Sequence, residues 1–99
     1  MAEVEFHPRA VEEARAARRR YARVSQYLAA QFVAELDSAV VAIDANPPGY
    51  PAHLHGTRFY RLGRFPYLLV YLEVTADRVL VIAVAHTSRR PRYWRRRLP

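Results

Sequence analysis

The order of periodicities in this 99-residue chain predicts an α+β domain: an N-terminal helical hairpin packed on an antiparallel β-sheet, with a short C-terminal helix or tail. Two observations carry that expectation. Apolar residues recur at three- and four-residue spacing from Ala10 to Ile43, the period of a helix, and then alternate or run together from Thr57 to Ala85, the pattern of strands. Between the two regimes lies Asn46-Pro47-Pro48-Gly49-Tyr50-Pro51, which stops a helix because proline neither donates nor tolerates the preceding turn.

Each element has its own local reason. Glu3 to His7 alternates polar and apolar, as a short half-buried strand does. Pro8 suits the first position of a helix, and Ala10, Val11, Ala14, Ala17, Tyr21 and Val24 form its apolar stripe. Glu12 and Glu13 are read as acids favoured near the positive helix end, and Arg15, Arg18, Arg19, Arg20 and Arg23 as a solvated face nearer the negative end. Ser25 can cap a second helix whose stripe is Leu28, Phe32, Leu36, Ala39, Val40 and Ile43. Residues 52–56 form a loop, and Thr57–Leu62 is a strand. In Phe65–Val74 the residues Leu68, Val70, Leu72 and Val74 share one face, and Tyr67, Leu69, Tyr71 and Glu73 the other. Thr75-Ala76-Asp77 makes a turn. Arg78–His86 is apolar on both faces, as a central strand should be. With the hairpin covering one face, the other face is expected to stay open, lined by aromatics and Arg.

The length fits one domain over residues 1–99, and 52% apolar residues suffice for a core without staples. With no cysteine there are no disulfides or thiolate metal sites. The longest apolar run, Val79–Ala85, is too short to span a membrane, and no signal pattern opens the chain, so a soluble, cytoplasmic protein is expected. All sixteen basic residues are Arg, whose planar fork matches phosphate and carboxylate. Residues 56–99 hold ten Arg against two acids, a net of +8. Residues 1–55 hold six Arg against seven acids, a net of −1, which together give the overall +7. A polyanionic or acidic partner is implied, and the strand half is where function is sought.

His86 ends the most apolar strand, followed within seven residues by Arg89, Arg90 and Tyr93. Together with Arg61, these residues would supply an imidazole, guanidiniums and a phenol. Such a set suits metal-independent phosphodiester cleavage: a base for the attacking hydroxyl, cations for the phosphate and an acid for the leaving oxygen. It equally suits plain phosphate binding with stacking on Tyr93 or Trp94. The alternatives are structural: His86 as a hydrogen-bonding strand end, Tyr93 and Trp94 as packing anchors, Arg95–Arg97 as a solvated tail. His53 and His55 lack a third metal ligand nearby, and no cofactor is expected.

Several stretches resemble the RelE/ParE toxin superfamily. They are Asn46-Pro47 with Tyr50-Pro51, then Arg64-Phe65-Pro66-Tyr67 leading into Val70-Tyr71, then Ala83-Val84-Ala85-His86 with Arg89-Arg90-Pro91 and Tyr93-Trp94. These are small toxins of type II toxin–antitoxin modules, so the resemblance implies a cognate antitoxin partner. It implies one of two activities. RelE-like members cleave mRNA on the ribosome, and by position Arg61, Arg89 and Tyr93 match their basic and tyrosine residues, with His86 as base or acid. Where such enzymes place an Arg before the valine-tyrosine pair, this chain has Leu68, which weakens phosphate stabilisation. ParE-like members inhibit DNA gyrase without nuclease chemistry. Under either activity, Arg58, Arg64, Arg90 and Trp94 are expected to contact nucleic acid or the protein target. The ribosome-dependent nuclease is the first reading and the gyrase inhibitor the alternative.

Overall fold

The computed structural model describes residues 3–99. Strand β1 (Glu3–Phe6) leads into α1 (Pro8–Ala22) and α2 (Gln26–Ala45); then come β2 (Arg58–Arg61), β3 (Tyr67–Thr75) and β4 (Arg78–His86). Single 3₁₀ turns sit at Pro47–Gly49, Leu54–Gly56 and Arg95–Arg97. The helix starts follow the expected chemistry. Pro8 opens α1 behind His7, whose Nδ1 accepts the Arg9 N–H at 3.0 Å. Ser25 caps α2, its Oγ accepting from the Tyr27 and Leu28 N–H groups at 3.1 and 3.3 Å.

The two-layer α+β architecture is as expected, with one difference in the sheet. Its order is β1-β4-β3-β2, and β1 pairs with β4 in parallel, so the sheet is mixed. Only β2–β3–β4 is an antiparallel meander. The parallel pairing arises because the helical hairpin carries the chain away from β1 before the meander forms, a crossover of the kind parallel strands require. β1 is also short. Its register ends at Phe6 opposite Val81, and β4 runs on alone along that side to His86.

The expected open face is not open. Two cores flank the sheet. On the helix side Ala10, Ala17, Phe32, Ala39 and Ile43 pack on Tyr67, Leu69, Tyr71, Val81 and Val84. On the other side Val70, Ile82, Ala83 and Ala85 pack on Trp94, with Tyr93 and Leu98 beside it. A register shift after Val70 leaves Ile82 as the extra residue of a bulge, and both Ile82 and Ala83 then reach the second core. The C-terminal segment is thus a lid over the sheet, where a mere tail was the expectation for its end. The loop at 52–56 contributes too: the rings of His53 and His55 lie 5.8 and 6.1 Å from that of Trp94.

One tie positions the break between the halves. The hydroxyl of Tyr71, a fully buried residue of β3, donates to the Pro47 carbonyl just after α2. Burial pushes the Tyr71 phenol up to about 12 from its ordinary value. Because the folded value lies above the unfolded one, the stabilisation is fully present below about pH 10 and is lost as pH rises from there towards 12. Tyr21 and Tyr93 are shifted in the same direction, again with burial as the largest cause. Denaturant titrations at pH 8, 10 and 11 should therefore show stability falling above pH 10. Tyr71 alone is linked to roughly 2–3 kcal/mol over the full range, and Tyr71→Phe should flatten its share of the slope.

Candidate functional site

The site is built around the unpartnered end of β4. Past Phe6 no strand among the described residues covers that side, so backbone groups of β4 need other partners. The Val84 N–H donates to Glu13 Oε1 at 3.1 Å. The Ile82 carbonyl accepts from Arg97 Nη1 at 3.1 Å. The two side chains also join each other. Arg97 donates from Nη1 to Glu13 Oε1 at 2.8 Å and from Nη2 to Oε2 at 3.0 Å, a bidentate pair. The Tyr93 hydroxyl donates to Glu13 Oε2 at 2.6 Å. Every acceptor position of Glu13 facing the protein is therefore taken, and helix α1, strand β4 and the C-terminal lid meet at one carboxylate.

This clasp corrects two expectations. Glu12 and Glu13 lie beyond the first turn of α1, too far in for the helix-end effect, and Glu13 instead joins three elements. Arg97 is no solvated tail residue: its side chain is only 11% exposed and that of Glu13 17%. Burial opposes the charge on Arg97, but the bonded Glu13 carboxylate outweighs it and the net shift is upward. A signal for Glu13 did exist in the sequence. It sits three residues after Ala10 and four before Ala17, both fully buried, so the acid lies on the core stripe.

Between α1 and the end of β4 lies a cleft of about 240 Å³, lined by Glu13, Ala16, Ala17, Arg20, Tyr67, Val84, His86, Ser88 and Arg89. Glu13, Ala16, Ala17 and Arg20 form one wall because their spacing of three, four and seven shares a helix face. Arg20 Nη1 donates to the Tyr67 hydroxyl at 3.0 Å. The His86 ring meets the Tyr67 ring edge-on, with centroids 5.1 Å apart. His86 Nδ1 accepts the Ser88 N–H at 3.0 Å and lies 2.7 Å from Ser88 Oγ. With Nδ1 accepting that backbone donor, Nε2 is the ring nitrogen left to donate. A smaller depression, about 100 Å³, lies beside Trp94 among Leu68, Val70 and Ala85, and His86, Arg89 and Tyr93 line it as well.

Of the four residues expected to act together, His86, Arg89 and Tyr93 line one depression, and Arg61 stands apart. Arg61 pairs with Leu68, and Leu68 with Ala85, so all three share the face covered by Trp94. His86 follows Ala85 and its ring packs on Tyr67 on the helix face, so the sheet separates it from Arg61. Arg89 and Tyr93 are adjacent: the Arg89 guanidinium stacks 3.9 Å from the Tyr93 ring centroid, and Arg97 lies 5.1 Å from the same ring. Burial, then the Glu13 hydrogen bond, pushes the Tyr93 phenol well above its ordinary value.

The expected contact residues divide in the same way. Trp94 is only 2% exposed and is a core residue, which corrects its place as a target-binding side chain. Arg58 is half-buried and committed: its Nε bonds Glu73 at 2.7 Å and its Nη1 the Tyr50 carbonyl at 2.8 Å. Arg64 and Arg90 are exposed, and the Arg64 backbone N–H is anchored to Glu35 at 3.1 Å. Tyr67 and Arg20 were missed as cleft residues because only the fold brings them beside His86, whereas Ser88 follows it by two residues and could have been read from the sequence. Among the described residues no cluster of His, Asp or Glu could hold a metal ion, and no helix is long and apolar enough to cross a membrane.

Fold and site together define a small basic α+β protein whose strand half is tied by its C-terminal lid. The family model of the ParE toxin of type II toxin–antitoxin systems matches residues 4–91, and the chain belongs to that family. A solved structure from the chromosomal ParDE toxin–antitoxin system of P. aeruginosa superposes with a TM-score of 0.73, covering 89% of this chain and 98% of that one at 18% identity. At that identity the likeness speaks for the fold. No curated protein matches the sequence significantly.

In Glu13→Gln one amide oxygen still accepts, but the other position becomes a donor facing donors, and Arg97, only 11% exposed, loses its counter-charge. Glu13→Gln should cost about 2–4 kcal/mol of unfolding free energy. The double variant Glu13→Gln/Arg97→Met should lose less than the sum of the two singles, read by chemical denaturation as a coupling of about 1 kcal/mol or more.

Proposed function

We propose that this chain is the toxin of a type II toxin–antitoxin pair that acts in the cytoplasm by binding DNA gyrase, with no chemistry of its own, and that a cognate antitoxin neutralises it. The observation that carries this reading is the division of the residues a nuclease would need. Arg61 and His86 lie on opposite faces of the sheet, and the Tyr93 hydroxyl is spent on Glu13. Leu68 further removes a cation from the strand that would face a phosphate. Membership of the ParE family points the same way.

Two further features support a protein partner. Helix α2 leaves Tyr27 and Val41 72% and 68% exposed, and Val24 just before it is 77% exposed, so the helical hairpin presents apolar side chains to solvent at both ends of α2. The net charge of +7 favours fast association with an acidic surface.

The test pairs two reactions. With purified gyrase and supercoiled DNA, the protein should block supercoiling or trap broken DNA, and in coupled translation the mRNA should stay intact. Cleavage of mRNA at ribosome-occupied codons, with gyrase unaffected, would establish the nuclease reading instead.

A further inference from the structure

The cleft between α1 and the end of β4 holds an excess of hydrogen-bond donors. Arg20 uses one N–H on the Tyr67 oxygen and keeps the rest. The Tyr67 hydroxyl accepts that bond and its own hydrogen has no acceptor among the described residues, although Tyr67 is only 3% exposed. Arg89 stacks its plane on Tyr93, which leaves its N–H edge free. His86 presents its Nε2 proton, because Nδ1 is occupied by Ser88. The only acid in the lining, Glu13, is saturated by Arg97, Tyr93 and Val84. The cleft therefore carries two uncompensated guanidiniums and two further donors, and its lining lacks a free carboxylate.

Size and surroundings narrow the ligand. At about 240 Å³ the cleft is smaller than the roughly 300–1,000 Å³ of pockets for drug-sized ligands, so one side chain or one small anion fits. The methyl groups of Ala16, Ala17 and Val84 line it and suit an aliphatic stem. Single-stranded nucleic acid would need aromatic faces for its bases. Tyr67 and Trp94 are buried, and the Tyr93 ring lies against two guanidiniums. The geometry points to a carboxylate pocket: the cleft takes one Asp or Glu side chain from an acidic segment of a partner protein. This deepens the proposed reading of the chain as a protein-binding toxin by naming the chemistry of one contact. The fit is independent of which protein supplies the acid.

The isolated full-length protein tests the pocket without gyrase, so a failure here and a failure of the gyrase reading are separable. In a ¹⁵N-labelled sample, N-acetyl-glutamate N-methylamide should shift the Ser88, Arg89 and Val84 amides in a saturable way. N-acetyl-glutamine N-methylamide should leave them in place. Arg20→Gln, an exposed position, should weaken the glutamate titration about tenfold. Arg61→Gln, on the opposite face, should leave it unchanged, and unaltered spectra elsewhere would show that both variants fold. Equal shifts with the glutamine probe would overturn the proposal, as would an Arg20→Gln titration like the parent's. So would a single-stranded oligonucleotide that displaces the glutamate probe from these amides, because it would assign the cleft to phosphate.

Discussion

Everything at the C-terminal end of this protein depends on one carboxylate. Glu13 accepts from a backbone amide of β4, from both ends of the Arg97 fork and from the Tyr93 hydroxyl. The need for it follows from the sheet. β1 is four residues long and β4 is nine, so part of a central strand loses its neighbour. Exposed N–H and C=O groups there would leave a sticky edge. Glu13 and Arg97 fill that place with one acceptor and one donor. In doing so they draw residues 93–98 across the sheet, which buries Trp94 and closes the second core.

The same tie explains why the basic half reads as a recognition surface. Arg97 and Arg58 are committed to internal partners, Arg15 pairs with Glu12 and Arg78 with Glu5, and among the described residues the cations without an acid partner are the other arginines of α1, Arg23, Arg61, Arg64 and those of residues 89–96. They are spread over different faces. A nuclease must bring base, acid and phosphate cations within hydrogen-bond reach of one another, whereas a binding protein is served by charge distributed around a rigid frame.

Much of the fold was legible because its causes are local. Pro8, Ser25 and the Asn46–Pro51 break set the helix limits, and the alternation from Tyr67 to His86 set two strands within a residue or two. The direction of β1 was not legible, since periodicity shows that a strand exists and says nothing of its neighbour. The clasp was hidden for a related reason. Glu13 and Arg97 are 84 residues apart, and a charged residue looks the same in a sequence whether it is solvated or paired. The candidate site suffered most. His86, Arg89 and Tyr93 were correctly placed near one another by sequence proximity, but Arg61 joined them only under the assumption that the strands present their cations to one face. The register Arg61–Leu68–Ala85 places it on the other.

The Val84 amide reports most directly on this account, because its hydrogen-bond acceptor is a side chain from another element. Native-state hydrogen exchange should show Val84 protected to the same degree as Leu69 and Val70 in the parent protein. In an Arg97→Gln variant that protection should fall sharply while the β3 amides keep theirs. Rapid exchange at Val84 in the parent, or protection indifferent to Arg97, would contradict the claim that the Glu13–Arg97 pair stands in for the missing strand.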